Sequence, residues 1–353
     1  MDSHSAIERE KLFNKGFITI TTINFIVFLI YYCFVVITAK YATAELGATA
    51  AQAGFAAGIY IIGTLVARLY IGKKLEIIGR KEILRLGALI YLITTAAYLI
   101  SSNIIILDTV RFLNGFAYGT ISTAANAIVT AYIPKTRNGE GINYYGLSTS
   151  LAAAIGPFIG MLLLPTTGFN AVIILAIVLS IAVTIACFLF PVKNIQLDEK
   201  QKKLLNSWSL NTFIEYRVLF ISTVAFLIGL AYSSVLGFLS IYADSLVVYA
   251  LIITATRPFA GRIFDARGEN AVMYPSFVFL TLGLLMLSFT NGSFMLLFSG
   301  ALIGLGYGTF MSNGQAVCLK LVDSTKVGIA LSTYFIGLDL GLGFGPYALG
   351  TVH

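Results

Sequence analysis

Apolar segments recur along the whole chain, and this feature restricts the fold more than any other. Most of them are about 18 residues or longer, which is enough to cross the hydrocarbon core of a bilayer as an α-helix. Of the 353 residues, 58% are hydrophobic and only 11% are charged, and the mean hydropathy is +0.88. Charged residues fill about a quarter of the positions in a soluble domain. The sequence therefore predicts an all-α protein that crosses a membrane many times.

The apolar segments predict eleven helices in two groups. An amino-terminal half of six helices covers residues 1–190, a polar cytoplasmic linker covers 191–217, and helices seven to eleven lie in 218–353. The eighth predicted helix is short and ends at a charged turn near residue 257. The other predicted ranges are 17–39, 52–71, 83–101, 104–131, 142–164, 171–190, 218–243, 271–289, 294–321 and 328–349.

One charged turn occurs twice, at the ends of the second and eighth segments. Its residues are Arg68, Gly72, Glu76 and Gly79 in the first copy and Arg257, Gly261, Asp265 and Gly268 in the second, each 189 positions later. Other pairs with this offset are Gly115/Gly304, Tyr118/Tyr307, Asn126/Gln315 and Gly156/Gly345. The repeat predicts two pseudo-symmetric six-helix halves, related by an axis along the membrane normal.

The repeat register also predicts two gaps in the second half. About a dozen residues are expected to be missing near position 244, because the eighth segment is too short for its repeat mate. The counterpart of the sixth helix would fall beyond residue 353, so we expect the twelfth helix to be absent.

The distribution of positive charge predicts the orientation of the chain. Almost all of the 23 lysines and arginines lie in the amino-terminal segment, the linker or the turns on the same side of the predicted bundle. Positively charged turns stay in the cytoplasm, so the amino terminus and linker should be cytoplasmic and the protein should lie in the cell membrane. The net charge of +7 is thus an orientation signal rather than a sign of nucleic-acid binding. No cleavable signal peptide is expected, because the polar stretch 1–15 precedes a segment of full spanning length.

Cysteines and histidines predict no metal site, cofactor or disulfide. Cys33, Cys187 and Cys318 fall singly in apolar segments, where cysteine usually acts as a small hydrophobic residue. The two histidines, His4 and His353, lie at opposite ends of the chain. Because no nucleophile lies in a recognisable arrangement with a base, we expect no enzymatic activity.

Three motifs resemble those of the major facilitator superfamily. The turn Gly72-x-x-x-Glu76-x-x-Gly79-Arg80-Lys81 resembles the superfamily's loop between helices two and three, with Glu where Asp is usual. Arg111-x-x-x-Gly115 resembles its fourth-helix motif, with Asn114 in place of the common Gln. Gly156-Pro157-x-x-Gly160 is similar to part of the fifth-helix antiporter motif, although Asn143 and Ala152 occupy earlier glycine positions.

The resemblance implies a monomeric secondary transporter that moves a small molecule across the bilayer by alternating access. The helix-five signature is similar to that of the twelve-helix drug:proton antiporters and metabolite exporters. It implies proton-coupled export of a small amphipathic molecule or drug. The alternative is proton-coupled uptake or export of one specific metabolite by the same fold.

The resemblance also implies a charge cluster that latches the outward-open state. Glu76, Arg80 and Glu140 would form it, supported by the other residues of the repeated turn, which are Gly72, Gly79, Arg68, Arg257, Gly261 and Asp265. Alternatively, these charges serve only topology and solubility.

Three charged residues within predicted helices are candidates for proton coupling. A charge inside a span is costly unless it is paired or faces water, so each is a functional candidate. Asp339 lies deep in the eleventh segment, and Arg111 and Asp108 lie on one face of the fourth. Asp339 could instead form a structural pair with Arg68 or Arg257, and Asp108 could pair with Arg111.

The substrate cavity is predicted from the superfamily plan, in which helices one, four, seven and ten surround a site near the midplane. Polar and aromatic side chains of these helices are Asn24, Tyr31, Tyr32, Asn114, Tyr118, Asn126, Tyr232, Tyr307, Asn313 and Gln315. Each of them could equally serve helix packing. Helix one carries no acid, unlike that of some multidrug antiporters, so an amphipathic or zwitterionic substrate fits better than a cationic one.

Overall fold

The computed structural model describes residues 11–192, 194–239 and 243–350, with side chains left out for 236–251 and 346–350. This part of the chain is built from α-helices, short turns of tighter helix and loops, without a strand. The helices are α1 (Lys15–Ala44), α2 (Ala50–Ile78), α3 (Arg80–Ala96), α4 (Ile104–Val129), α5 (Asn138–Leu189), α6 (Glu199–Asn206), α7 (Leu219–Leu239), α8 (Ala243–Arg267), α9 (Asn270–Ser288), α10 (Ser293–Ile303), α11 (Thr309–Leu321) and α12 (Val327–Gly350).

Two helices differ from the usual pattern of one helix per span. The 52-residue α5 contains the fifth and sixth spans, which meet at Gly168, where φ is +78°. Helices α10 and α11 are joined by one π-turn, Gly304–Gly308, and together form a single span. The described residues hold nine helical segments long and apolar enough to cross a membrane, or ten spans once α5 is divided at Gly168, and the predicted all-α polytopic fold is confirmed.

Several predicted boundaries differ from the structure. The fifth and sixth helices were expected to be separate, but only Gly168 leaves helical geometry between them. The linker contains the short helix α6, which the polar composition did not indicate. The predicted short eighth helix is α8, with 25 residues. The predicted gap near position 244 falls beside residues 240–242, which lie outside the described residues.

Glycines bring the helices of each half into close contact. A Cβ added to Gly115 of α4 would overlap the carbonyl oxygen of Tyr60 in α2. A Cβ on Gly156 of α5 would lie 2.8 Å from the Tyr32 Cβ in α1. Small residues at such crossings let helix backbones approach in lipid, where no hydrophobic effect drives helices together.

The halves contact each other near one end of the bundle, which we call the charged end. It comprises residues 11–15, 78–80, 130–138, 191–192, 194–217, 268–270 and 322–326. Gly72 of α2 packs directly against Ser332 of α12, and its repeat mate Gly261 of α8 packs against α5, where a Cβ would lie 2.6 Å from the Glu140 Cα. Both copies of the repeated turn therefore stand at a crossing between halves.

The α2–α4 crossing predicts a stability difference between two glycine variants. In Gly115→Ala the new methyl group overlaps backbone, so we expect unfolding to become easier by about 2 kcal/mol. In Gly58→Ala, on α2, no heavy atom lies within 4 Å of the new Cβ. Thermal unfolding in detergent micelles should show a lower midpoint for the first variant only. Equal midpoints would contradict the tight crossing.

Candidate functional site

Glu76 and Arg80 form the first charge cluster at the charged end. The Arg80 Nη2 lies 2.6 Å from the Glu76 Oε1, and both side chains are buried. The same guanidinium donates to the Ala127 carbonyl at 2.8 Å and to the Ser324 carbonyl at 3.2 Å. Because Ser324 belongs to the carboxy-terminal half, Arg80 joins the two halves.

The second cluster surrounds the start of α5. The Asp265 carboxylate of α8 accepts the backbone N–H groups of Gly139 at 2.7 Å and Glu140 at 2.8 Å. An acid at a helix N-terminus also interacts favourably with the helix dipole. The Glu140 carboxylate in turn binds the Nε of Arg137 at 2.7 Å and the Nε of Arg262 at 2.9 Å. This cluster therefore joins the halves through α5 and α8.

The structure thus corrects the prediction of one cluster containing Glu76, Arg80 and Glu140. Glu140 pairs with Arg137 and Arg262 because α5 begins beside α8, whereas Glu76 lies beside α12. The two glycines that end the repeated turn, Gly79 and Gly268, have φ values of +113° and +83°. Side chains disfavour this conformation, so glycine is needed at both turns.

The linker forms a third connection between the halves, which the sequence reasoning missed. The Lys73 Nζ of α2 donates to the Ser207 carbonyl at 2.7 Å and lies 4.0 Å from the centre of the Phe213 ring. Further along, the buried Glu215 binds the Lys326 Nζ at 2.9 Å, just before α12. Aromatic residues in an otherwise polar linker were the sequence signal that could have indicated its attachment to the helices.

An ion pair crosses between the halves in the interior of the bundle. The Arg68 Nε of α2 lies 2.7 Å from the Asp339 Oδ2 of α12, and the side chains are 3% and 19% exposed. The guanidinium also covers the Phe335 ring at 4.8 Å from its centre. Of the two partners that the sequence left open for Asp339, the structure pairs it with Arg68.

Four tyrosines lie around this ion pair. The Asp339 carboxylate interacts electrostatically with Tyr31 and Tyr32 of α1, Tyr118 of α4 and Tyr307 of the π-turn. They come from both halves, so Asp339 stands where the spans expected to line a cavity converge.

The tyrosines are arranged as one aromatic group in each half. Tyr31 stacks on Tyr118 with ring centres 4.9 Å apart and on Tyr60 at 5.2 Å. In the other half, the rings of Tyr232 and Tyr307 stack at 3.8 Å. The π-turn that carries Tyr307 is a distortion often found at functional sites.

The asparagine and glutamine residues predicted to line the cavity lie away from the tyrosines. Across the halves, Gln315 donates to the Asn126 Oδ1 at 3.4 Å, and Asn143 donates to the Asn313 Oδ1 at 3.0 Å. These contacts lie between the tyrosines and the charged end.

Two amides remain within the amino-terminal half. The Asn24 Nδ2 donates to Ser148 at 2.8 Å, and the Asn114 Nδ2 donates to Thr94 at 2.9 Å. The structure therefore brings the tyrosines together around Asp339, and does not bring Asn24 or Asn114 there.

Arg111 is held inside the amino-terminal half. Its Nε donates to the Ala56 carbonyl at 3.0 Å, and the guanidinium covers the Tyr60 ring at 4.5 Å from its centre. Within the part of the chain that the structure describes, no ion pair joins Arg111 to Asp108, which was the structural alternative. Carbonyl groups of α2 satisfy the arginine instead. A part for either residue in proton coupling remains a prediction.

The remaining motif residues lie at helix contacts. Gly156 and Gly160, which flank Pro157, hold α5 against α1, where a Cβ on Gly160 would lie 3.0 Å from Ile37. Arg257, the repeat mate of Arg68, is buried, and its guanidinium packs directly against Gly146 of α5. The repeat mate of Asp339 on α5 is Ser150, so the two halves differ at this position.

The interior ion pair predicts how variants of Arg68 and Asp339 differ in stability. Arg68→Gln should lower the free energy of unfolding by about 3 kcal/mol, since it leaves the Asp339 carboxylate buried without its cation. Adding Asp339→Asn should restore part of the loss by removing that charge. Chemical unfolding in micelles measures both variants. A double variant no more stable than Arg68→Gln would contradict the pairing.

The linker contact predicts a spectroscopic change. Trp208 is the one tryptophan of the chain, and its side chain lies beside the Lys73 ammonium. Glu215→Gln removes the ion pair with Lys326, so we expect the linker to loosen and the fluorescence anisotropy of Trp208 to fall. Glu199→Gln removes an exposed pair with Lys202 on the same linker and should leave the anisotropy unchanged. An equal anisotropy in all three proteins would refute the attachment.

Comparisons with known proteins agree with this architecture. The family model of the Major Facilitator Superfamily matches residues 20–247 and 245–353. An uncharacterised MFS-type transporter of Methanocaldococcus jannaschii is 22% identical over 322 residues, which cover 86% of this chain and 83% of that protein. Another, of Burkholderia pseudomallei, is 26% identical over 331 residues, covering 86% and 77%.

Solved structures share the fold at low sequence identity. The human organic anion transporter MFSD10 matches with a TM-score of 0.76 at 13% identity, covering 96% of this chain and 93% of that one. The Escherichia coli fucose:proton symporter matches with a TM-score of 0.72 at 17% identity, covering 95% and 91%. With the family match over almost all of its residues, its paired halves and its repeated turn, the chain belongs to the major facilitator superfamily.

Proposed function

We propose that this transporter is a proton-coupled exporter of a small amphipathic molecule. The observation that carries the proposal is the ion pair between Arg68 and Asp339, which links the halves beside the aromatic groups. A carboxylate in this position can bind a proton, and whether it does so depends on whether the halves are close enough for Arg68 to pair with it.

The proton acts on the contact between α2 and α12. With Asp339 charged, the pair holds these helices together while both charge clusters and the linker close the charged end. A proton on Asp339 removes its charge, breaks the pair and lets α2 and α12 separate. The other groups facing Asp339 are tyrosines, which stay neutral at physiological pH because tyrosine ordinarily titrates at about pH 10.

Export follows if the charged end faces the cytoplasm, as the positive charges predict. A proton entering from the outer side reaches Asp339 while the charged end is closed. Its binding favours the inward-open state, in which the proton leaves and substrate binds. Loss of the proton restores the ion pair, so each cycle moves a proton inward and a substrate outward.

The aromatic groups favour an amphipathic substrate. Stacked tyrosines from both halves offer flat apolar faces with hydroxyl groups at their edges, which suit a ring-bearing molecule with polar substituents. The amide contacts between the tyrosines and the charged end would shield that molecule from the cytoplasm in the outward-facing state.

Proton-driven uptake of one specific metabolite is the second candidate. The solved fucose:proton symporter has the same fold, and the Arg68–Asp339 pair could couple a proton to movement in either direction. The two candidates differ in the direction in which substrate and proton move.

The test uses purified transporter in proteoliposomes with a fluorescent amphipathic substrate and an imposed pH gradient. We expect the gradient to drive substrate against the direction of proton flow, and the same direction would support uptake. Asp339→Asn should reduce gradient-driven transport to the rate without a gradient, while substrate exchange continues. Asp323→Asn makes the same change at an exposed turn and should behave like wild type. Full gradient dependence in Asp339→Asn would refute coupling through Asp339.

A further inference from the structure

A cavity of about 1240 Å³ opens at the charged end, apart from the tyrosines and Asp339. Its wall comes from the start of α1, the turn between α4 and α5 and the end of α8. The ionisable side chains in this wall are Lys11, Lys135, Arg137, Arg262, Glu140 and Asp265. Positive charges therefore outnumber negative ones.

The acids of the wall already have protein partners. Glu140 binds both Arg137 and Arg262, and Asp265 accepts two backbone N–H groups at the start of α5. By contrast, neither Lys11 nor Lys135 forms an ion pair with any other residue in the described ranges. The excess positive charge of the wall therefore lies on the two lysines.

Hydroxyl groups complete the polar lining. Thr130, Tyr132 and Thr136 also line the cavity. The Thr130 and Tyr132 hydroxyl groups donate to the Ala127 and Pro191 carbonyls at 2.7 and 3.0 Å, so Thr136 supplies the hydroxyl that can donate to a ligand. Phosphate oxygens bind well to a lysine ammonium and to hydroxyl donors. The cavity lies at the ends of membrane-spanning helices, and basic pockets between such helices on the cytoplasmic side bind anionic lipid headgroups.

We propose that this cavity binds a phosphate group, carried either by an anionic phospholipid or by a soluble phosphorylated molecule. Lys11 and Lys135 supply the charge that recognises it, while the arginines remain engaged with Glu140. The size of the cavity accommodates a whole lipid headgroup. The site goes beyond the proposed transport activity and does not depend on it.

The experiment measures ligand-dependent thermal stability of the purified transporter. In one arm, nanodiscs of phosphatidylcholine are compared with nanodiscs containing a graded fraction of phosphatidylglycerol, whose phosphate has no attached ammonium. In the other arm, phosphatidylcholine nanodiscs are titrated with inorganic phosphate at constant ionic strength. Each arm compares wild type with Lys11→Gln/Lys135→Gln and with Lys200→Gln/Lys203→Gln. The control pair removes the same charge from exposed positions on α6.

We expect a rise in the unfolding midpoint that saturates with ligand. Lys11→Gln/Lys135→Gln should weaken the apparent affinity about 30-fold, since each lysine near an anionic membrane surface contributes about fivefold. The control should bind like wild type. A response to phosphatidylglycerol alone assigns the site to a lipid headgroup, and a response to inorganic phosphate assigns it to a soluble ligand. No response in either arm, or equal losses in both double variants, would overturn the proposal.

Discussion

The ion pair between Arg68 and Asp339 is the interaction on which the interior of this transporter depends. A lone charge within a span is costly, and the pair keeps both groups buried at a lower cost than either would incur alone. Because one partner lies on α2 and the other on α12, the pair is stable only while the halves are close at this level. The same contact therefore contributes to the stability of the fold and depends on the relative position of the two halves.

At the charged end, each copy of the repeated turn contacts the opposite half, and the two copies use different residues to do so. Glu76 and Arg80 reach the segment before α12, whereas Asp265 binds the start of α5 and leaves the ionic contacts to Glu140. The repeat mates of Glu140 and Arg262 are Ile329 and Lys73, so the ion pair that joins α5 to α8 at the charged end has no counterpart at the matching positions of α12 and α2. The linker adds a connection on the α2–α12 side, where the matching ionic contact is missing.

The sequence predicted the fold well because its main signals are local or periodic. Apolar length located the spans, and the offset of 189 related the halves. The close pair of Glu76 and Arg80 is also local, since it joins residues only four positions apart across the turn at Gly79 between α2 and α3. Gly168 shows the limit, since residues 165–170 marked a boundary between two helices, but not that helical geometry continues on both sides of a single residue of positive φ.

The sequence alone could not identify ion-pair partners that lie far apart along the chain. Asp339 had two possible arginines, related by the repeat, and only the packing of α2 against α12 decides for Arg68. Glu140 was grouped with Arg80 because the superfamily resemblance implies one charge cluster, although the structure places Glu140 beside Arg262. In the sequence, Lys73 is one of several lysines that indicate the cytoplasmic side of the membrane. Its contact with Phe213 forms only because the linker packs against the end of α2.

Infrared difference spectroscopy of the reconstituted transporter tests the central claim most directly, because it detects the proton on a carboxyl group. Spectra are recorded between alkaline and acidic buffer for wild type and for Asp339→Asn. In acidic buffer we expect a protonated-carboxyl C=O band in wild type that is missing in Asp339→Asn. Spectra of the two proteins that coincide in the carboxyl region would show that Asp339 does not take up the proton.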